Sequence, residues 1–183
     1  MPRAVCPRCE RPALTCLCAM LPVPPLAHRT ALLILQHPAE ARHAKNTAAL
    51  LTLGLQRAQL LRSEVFDAAL ACPGTALLYP GEAAAAAPAD ISQLILLDGS
   101  WRQSRRLLAA NPWLATLPRL ALPEQPSHYA IRRAHRPGQL STLEAGLHAL
   151  ALLEGGPERF EPLWTAFEAF IKAGLYRRET GMA

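Results

Sequence analysis

Short continuous apolar runs alternate along this chain with stretches of helical spacing. Thr30 to Gln36 is an uninterrupted apolar run suited to a buried strand, and His43 to Leu55 follows it with helical periodicity. Thr75 to Tyr79 and Gln93 to Leu97 are further strands, each ending in a turn with glycine, at Pro80-Gly81 and Asp98-Gly99. Leu60-Leu61 is a weaker strand signal, and Leu120 to Leu122 and Tyr129 to Arg132 read as short strands. Arg102 to Ala110 is helical, and Thr142 to Leu153 forms a helix with Leu143, Leu147 and Leu150 on one face. After the break at Gly155-Gly156-Pro157, a last helix carries Phe160, Leu163, Trp164, Phe167 and Ile171 at the spacing of a core-packing face. Strands buried on both faces do not alternate apolar with polar residues, so the pattern predicts an α/β domain with a mostly parallel sheet. Ala83 to Ala87, ending at Pro88, reads as a low-complexity loop.

A chain of 183 residues is one domain of ordinary size, and 51% hydrophobic against 18% charged residues excludes a disordered protein. No apolar run reaches the roughly 18 residues of a spanning helix. The N-terminus opens with Arg3, Cys6, Arg8 and Cys9 rather than an apolar signal core, so the expectation is a soluble, cytoplasmic protein. The net charge of +5 is carried by arginine, since Lys45 and Lys172 are the only lysines. Arginine reads phosphate and planar groups bidentately, and a pI near 9.3 favours a nucleic-acid partner, although a GC-rich genome enriches arginine and alanine as well.

Four of the five cysteines fall close together, as Cys6-Pro-Arg-Cys9 and Cys16-Leu-Cys18. Without a secretory signal a disulfide framework is not expected, and the pattern reads as a tetrathiolate metal site with structural Zn²⁺ as its ion. The C-x-C half is tighter than in an ordinary zinc ribbon, which leaves an iron–sulfur cluster or reduced thiols as alternatives. Cys72 stands apart and reads as a small buried residue. The prolines of Leu21 to Pro25 exclude a helix there and divide the chain into a knuckle and linker, 1–25, and a body, 26–183.

Ligands of open α/β sheets bind outside the carboxyl ends of the strands, which directs attention to the residues after each apolar run. Asp98-Gly99-Ser100-Trp101 follows one strand and leads into Arg102, Arg105 and Arg106. Ser100 is placed to cap the helix, Asp98 is a carboxylate for acid–base or orienting work, Trp101 can stack on a base, and the arginines can hold phosphate. A capped turn with a packed tryptophan accounts for the same spacing. Ser141 and Glu144 form a capping box at a helix start whose free N–H groups also suit an anionic ligand. Arg132, Arg133 and Arg136 form a basic stretch just upstream, and His37 and Glu40 sit in the loop after the first strand. There is no Gly-rich phosphate loop and no G-x-S-x-G elbow.

In their order these segments resemble the DTW-domain family, the tRNA-uridine aminocarboxypropyltransferases. The resemblance rests on Cys6, Cys9, Cys16 and Cys18 with Arg11-Pro12, on Gln36-His37-Pro38 with Glu40, Lys45, Asn46 and Thr47, and on Leu78-Tyr79-Pro80-Gly81. It continues through Asp98-Gly99-Ser100-Trp101 to Leu140-Ser141-Thr142-Leu143-Glu144-Ala145, covering about residues 6 to 146. The name-giving D-x-T-W motif has serine for threonine, which keeps the hydroxyl and loses a methyl.

The resemblance implies a SPOUT-like fold with a C-terminal trefoil knot and an S-adenosylmethionine pocket. That pocket would be made by Leu78, Tyr79, Pro80 and Gly81, by Asp98 and Gly99, and by Leu140, Ser141, Thr142 and Glu144. Asp98, Ser100 and Trp101 would form the catalytic turn. His37, Lys45, Arg102, Arg105, Arg106, Arg132 and Arg133 would meet RNA. The implied reaction moves the 3-amino-3-carboxypropyl group to uridine N3, at tRNA position 47, and leaves 5′-methylthioadenosine. A monomer with no obligate protein partner is expected. The rival readings are a SPOUT-type RNA methyltransferase with the same cofactor, and a non-catalytic zinc-containing RNA-binding protein.

Overall fold

A computed structural model describes residues 4–41, 43, 45–81, 90–123, 126–129 and 140–179, with side chains to 176 in the last helix. Five strands form one parallel sheet in the order β2-β1-β4-β3-β5: β1 (Ala31–Gln36), β2 (Ala58–Arg62), β3 (Thr75–Leu78), β4 (Gln93–Asp98) and β5 (Arg119–Leu120). Four helices cover it, α1 (Ala48–Gly54), α2 (Trp101–Ala110), α3 (Thr142–Glu154) and α4 (Glu161–Glu179). None of the described helices is long and apolar enough to cross a membrane.

The uninterrupted apolar runs have the expected consequence: alternate side chains of each strand enter two separate cores. Leu32 and Ile34 of β1, with Leu94 and Leu96 of β4, pack on the side of α1, α3 and α4, where Leu50, Leu51, Leu147, Phe160 and Phe167 are buried. Leu33, Leu35 and Ile95 face the other side, against Leu107 of α2, Phe66 and Leu114. Leu17 and Leu21, from the cysteine-rich segment and its linker, lie in the first of these cores, so the knuckle is packed onto the body.

Three elements depart from the sequence reading. The helix read from His43 begins only at Ala48, because the Asn46 side chain accepts the Ala48 N–H at 2.9 Å and turns the chain before α1. The Leu60-Leu61 signal is a genuine edge strand, whereas the strand read at Leu120 to Leu122 is shorter and shifted, at Arg119–Leu120. Tyr129 lies outside any strand, and the rest of that reading, with Ala83 to Ala87, lies outside the described residues. Cys72 is exposed, contrary to expectation: it sits in the turn before β3, beside Pro73-Gly74, where no core is available to cover it.

The strand order reverses between β1 and β4. From β1 the chain moves outward to β2, while β3 and β5 lie on the far side of β4. Gln36 and Asp98 are register partners at the carboxyl ends of these two central strands, at the switch point where open α/β sheets place their ligands.

Candidate active site and thiolate knuckle

Asp98 closes β4 with its side chain on the α1–α3 face, only 4% exposed. Oδ2 accepts hydrogen bonds from Gln36 Nε2 and Asn46 Nδ2, both at 2.7 Å, and Oδ1 accepts one from Thr142 Oγ1 at 2.5 Å. The two amides are held so that their donors face the acid. Gln36 Oε1 accepts from Arg62 Nε at 2.8 Å, and Asn46 Oδ1 is occupied by the Ala48 N–H. A carboxylate offers roughly four acceptor sites. Among the described residues three are taken, which leaves one open, and Asp98 borders a depression lined also by Glu40, His43, Lys45, Thr47 and Tyr129.

Thr142 is brought to Asp98 by the start of α3. Ser141 caps the helix, and the box is closed by Glu144 at N3, as its S-x-x-E spacing predicts. Glu144 is fully buried, and its oxygens also accept from the backbone N–H of His128 at 2.7 Å and from Ser127 Oγ at 2.9 and 3.1 Å. It therefore clips the 126–129 segment to the helix start. Next along that segment, Tyr129 donates its hydroxyl to the Lys45 carbonyl and packs its ring against Phe167 and Phe170.

Ser100 caps α2 in the same manner, with Gln103 completing the box. Trp101, 45% exposed, stacks on Tyr79 with centroids 5.4 Å apart and planes 7° from parallel, and the Arg119 guanidinium covers Tyr79 at 5.4 Å. Burial raises the Tyr79 phenol above its ordinary value against the pull of the Arg119 and Arg105 charges, so the middle ring of this stack is uncharged at neutral pH.

The four knuckle sulfurs converge as well. All lie within 4.8 Å of one another, with Cys6–Cys18 and Cys9–Cys16 each at 3.7 Å. Metal–sulfur bonds of about 2.3 Å in a tetrahedron require edges of about 3.8 Å, so the donor set could hold one four-coordinate ion. A four-iron cluster, with its irons between the thiolates, would hold them farther apart.

A family model, the DTW domain, matches residues 3–175. This chain belongs to the DTW-domain family. Similar curated proteins are tRNA-uridine aminocarboxypropyltransferase 2 of Drosophila melanogaster, 36% identical over 94% of this chain, and its namesake of Mus musculus, 36% identical over 83%. A third, tRNA-uridine aminocarboxypropyltransferase A of Arabidopsis thaliana, is 31% identical over 60% of this chain. The DTW chain spans 76% of the fly protein, 57% of the mouse protein and 52% of the Arabidopsis one. No solved structure matches it.

Within this DTW domain, Asp98, Lys45 and Thr142 come together, while Trp101 and the Leu78 to Gly81 turn are absent from the lining of the Asp98 depression. Arg102, Arg105 and Arg106 are exposed along α2. His37 is buried, 6% exposed: Nδ1 accepts from the Ala39 N–H, capping the turn at Pro38–Glu40, and Nε2 lies 3.5 Å from Glu64. It shares a groove of about 420 Å³ with Glu64 and Arg106. Arg132, Arg133 and Arg136 lie outside the described residues. Gln36 and Asn46 were legible as motif residues but not as donors to Asp98. Arg119 was missed altogether, as a lone arginine in a two-residue strand gives no signal.

Proposed function

We propose that this DTW protein is a tRNA-uridine aminocarboxypropyltransferase that uses S-adenosylmethionine, folded as a SPOUT-like domain and acting as a monomer on cytoplasmic tRNA. The observation that carries the reading is the buried Asp98, held by three convergent donors with one acceptor site open, at the switch point of the sheet. The relatives' names supply the chemistry. Uridine N3 attacks the terminal carbon of the aminocarboxypropyl chain, the carbon–sulfur bond breaks with its electron pair going to sulfur, and N3 loses its proton. The leaving sulfonium becomes a neutral thioether, 5′-methylthioadenosine, and needs no acid. The residues' task is therefore to align the N3–H and that carbon, rather than the methyl, and Asp98 accepts or orients the N3–H.

The turn at Leu78 to Gly81, the Asp98-Gly99 turn and the α3 start at Leu140 to Thr142 form the cofactor side of this reading, with Glu144 holding the last of them. A trefoil knot in the C-terminal part belongs to the same reading, in which α3 packs against central β4. The uridine at tRNA position 47 is the proposed target. The test is mass spectrometry of unmodified tRNA incubated with the protein and S-adenosylmethionine. The aminocarboxypropyl adduct with methylthioadenosine is expected, and a methyl adduct with S-adenosylhomocysteine would replace the reaction.

Trp101 is the proposed stacking platform for an extruded base, with Tyr79 and Arg119 backing it. Stacking contributes about 1–3 kcal/mol per base. Trp101→Ala is expected to weaken tRNA binding roughly 5- to 150-fold on that basis, and Trp101→Phe to retain most of it. Equal binding by both variants in a filter or anisotropy assay would remove this role. Arg102, Arg105, Arg106 and Lys45, with Arg132 and Arg133, would grip phosphate and make the affinity fall with salt.

Zn²⁺ is the proposed ion of the knuckle. The backbone N–H groups of Cys9 and Arg8 hold the Cys6 thiol down to about 6, while loss of hydration pushes Cys18 up to about 12. Cys6 is then already a thiolate at pH 7, and Cys18 would lose its proton to the buffer on binding the ion. Zinc uptake at pH 7 should release fewer than four protons, read by calorimetry in buffers of different ionisation enthalpy. As pH falls through about 6, Cys6 protonates and zinc affinity should drop.

A further inference from the structure

The knuckle and the Asp98 site are separated by long stretches of sequence, yet two lines of side chains join them. Arg11, two residues past Cys9, donates from Nη2 to the Asn46 carbonyl at 2.7 Å and lays its guanidinium over the Phe170 ring at 5.4 Å. Asn46 in turn donates its side-chain amide to Asp98. On the other side Glu10 meets Arg62 at 3.5 Å, Arg62 holds Gln36, and Gln36 donates to Asp98. Each donor that Asp98 receives from the β1 side is therefore backed by a residue adjoining the thiolates.

The two arms differ in strength. Glu10 and Arg62 are both largely exposed, and such a pair contributes little once solvent screens it. The Arg11 arm is a short charge-assisted hydrogen bond in a half-buried position, with an aromatic ring fixing the plane of the donor. Its base is rigid. The Cys6 N–H donates to the Arg11 carbonyl at 2.8 Å and the Glu10 N–H to the Cys6 carbonyl at 2.9 Å, while Glu10 takes φ 55°, a left-handed conformation that a non-glycine residue holds only when its surroundings impose it. Closing four sulfurs on one ion would impose that shape.

We infer that Arg11 is a positioning residue, through which the metal-closed knuckle fixes Asn46 and thereby the acceptor geometry of Asp98. The inference rests on the proposed transferase reading for its kinetic consequence, but its structural consequence stands apart. A bound ion then does more than hold the N-terminus: it sets the 6–11 loop, the loop sets the guanidinium, and the guanidinium sets the turn at 45–47.

The test compares zinc-loaded wild type with zinc-loaded Arg11→Met and Arg11→Lys in the full chain, with zinc content verified by elemental analysis. Nuclear magnetic resonance of the ¹⁵N-labelled proteins reads the Asn46 side-chain amide, assigned by its loss in Asn46→Asp. In Arg11→Met, with one zinc still bound per chain, that resonance should shift or broaden. Turnover of tRNA should fall roughly 10- to 100-fold with the KM for S-adenosylmethionine changed less than about threefold, as expected for a misplaced acceptor rather than a lost binding contact. Arg11→Lys, which keeps a donor but not the planar fork, should recover part of both. An Asn46 resonance at its wild-type position in zinc-loaded Arg11→Met would overturn the inference, whatever the activity. If the resonance moves but no aminocarboxypropyl product forms even with wild type, the linkage stands and the transferase reading fails. If Arg11→Met cannot be loaded with zinc, Arg11→Lys carries the comparison. A wild type that contains no metal and takes up none would overturn the part of the inference assigned to the ion.

Discussion

Asp98→Asn is expected to abolish nearly all aminocarboxypropyl transfer, a loss on the order of 10²- to 10⁴-fold, while leaving the fold intact. The selectivity of that effect follows from the partners. Gln36 and Asn46 both donate to Oδ2, which an asparagine can keep as its carbonyl oxygen. The new NH2 then faces Thr142, whose hydroxyl is donor and acceptor by turn and can rotate to accept. Every buried group stays paired, so unfolding stability should change by less than about 1 kcal/mol. What is lost is the one open acceptor oriented toward the ligand. Product mass spectrometry alongside thermal unfolding checks both halves, and full activity in Asp98→Asn would leave Asp98 a structural residue with no part in the transfer.

Glu144→Gln is the same chemical exchange with the opposite outcome. Oε2 accepts the Ser141 N–H and Oε1 accepts the His128 N–H, each at 2.7 Å. A glutamine must turn its NH2 toward one of these, and a backbone N–H cannot rotate to accept. Two donors then face each other in a site with no solvent, at a cost of about 2–3 kcal/mol, or roughly 5–10 °C in Tm for a domain of this size. The damage should spread to the site, because the capping box presents Thr142 to Asp98. Calorimetric unfolding together with cofactor binding decides the role: unchanged Tm with lost S-adenosylmethionine binding would make Glu144 a direct ligand instead of a clip.

The layered fold was legible because its signal is local. Uninterrupted apolar runs such as Ala31 to Leu35, bounded by turn residues, suit a strand covered on both faces, and the Ser141–Glu144 box and the Ser100 cap could be read from their spacing alone, though Gln103 as the other half of the second box was not. Nor was the helix start at Ala48, since nothing in the polar stretch from His43 to Thr47 forbids a helix and the deciding event is one Asn46 side chain taking an N–H. The identity of the site turn was also legible, at Asp98 and at Thr142, from a strand end and a helix start. Its supporting contacts were not, because they join residues far apart in sequence: Gln36 to Asp98, Arg11 to Asn46, Tyr129 to Lys45. No periodicity or turn rule reaches across such distances. Trp101 and Tyr79 were each visible as aromatic residues after a strand, but their stacking depends on the β3–β4 pairing.

The placement of β1 in the interior of the sheet, beside β4, bears on how the chain is made. Its partner across the switch point lies 62 residues downstream, so during synthesis the Ala31 to Leu35 run emerges well before β4 exists to cover it. Pairings of such long sequence separation form slowly and leave apolar strands exposed in the interval. Gln36 and Asp98 therefore become neighbours only after more than half of the polypeptide has left the ribosome, and slower translation at reduced temperature, or a holding chaperone, should raise the yield of protein with an assembled acid.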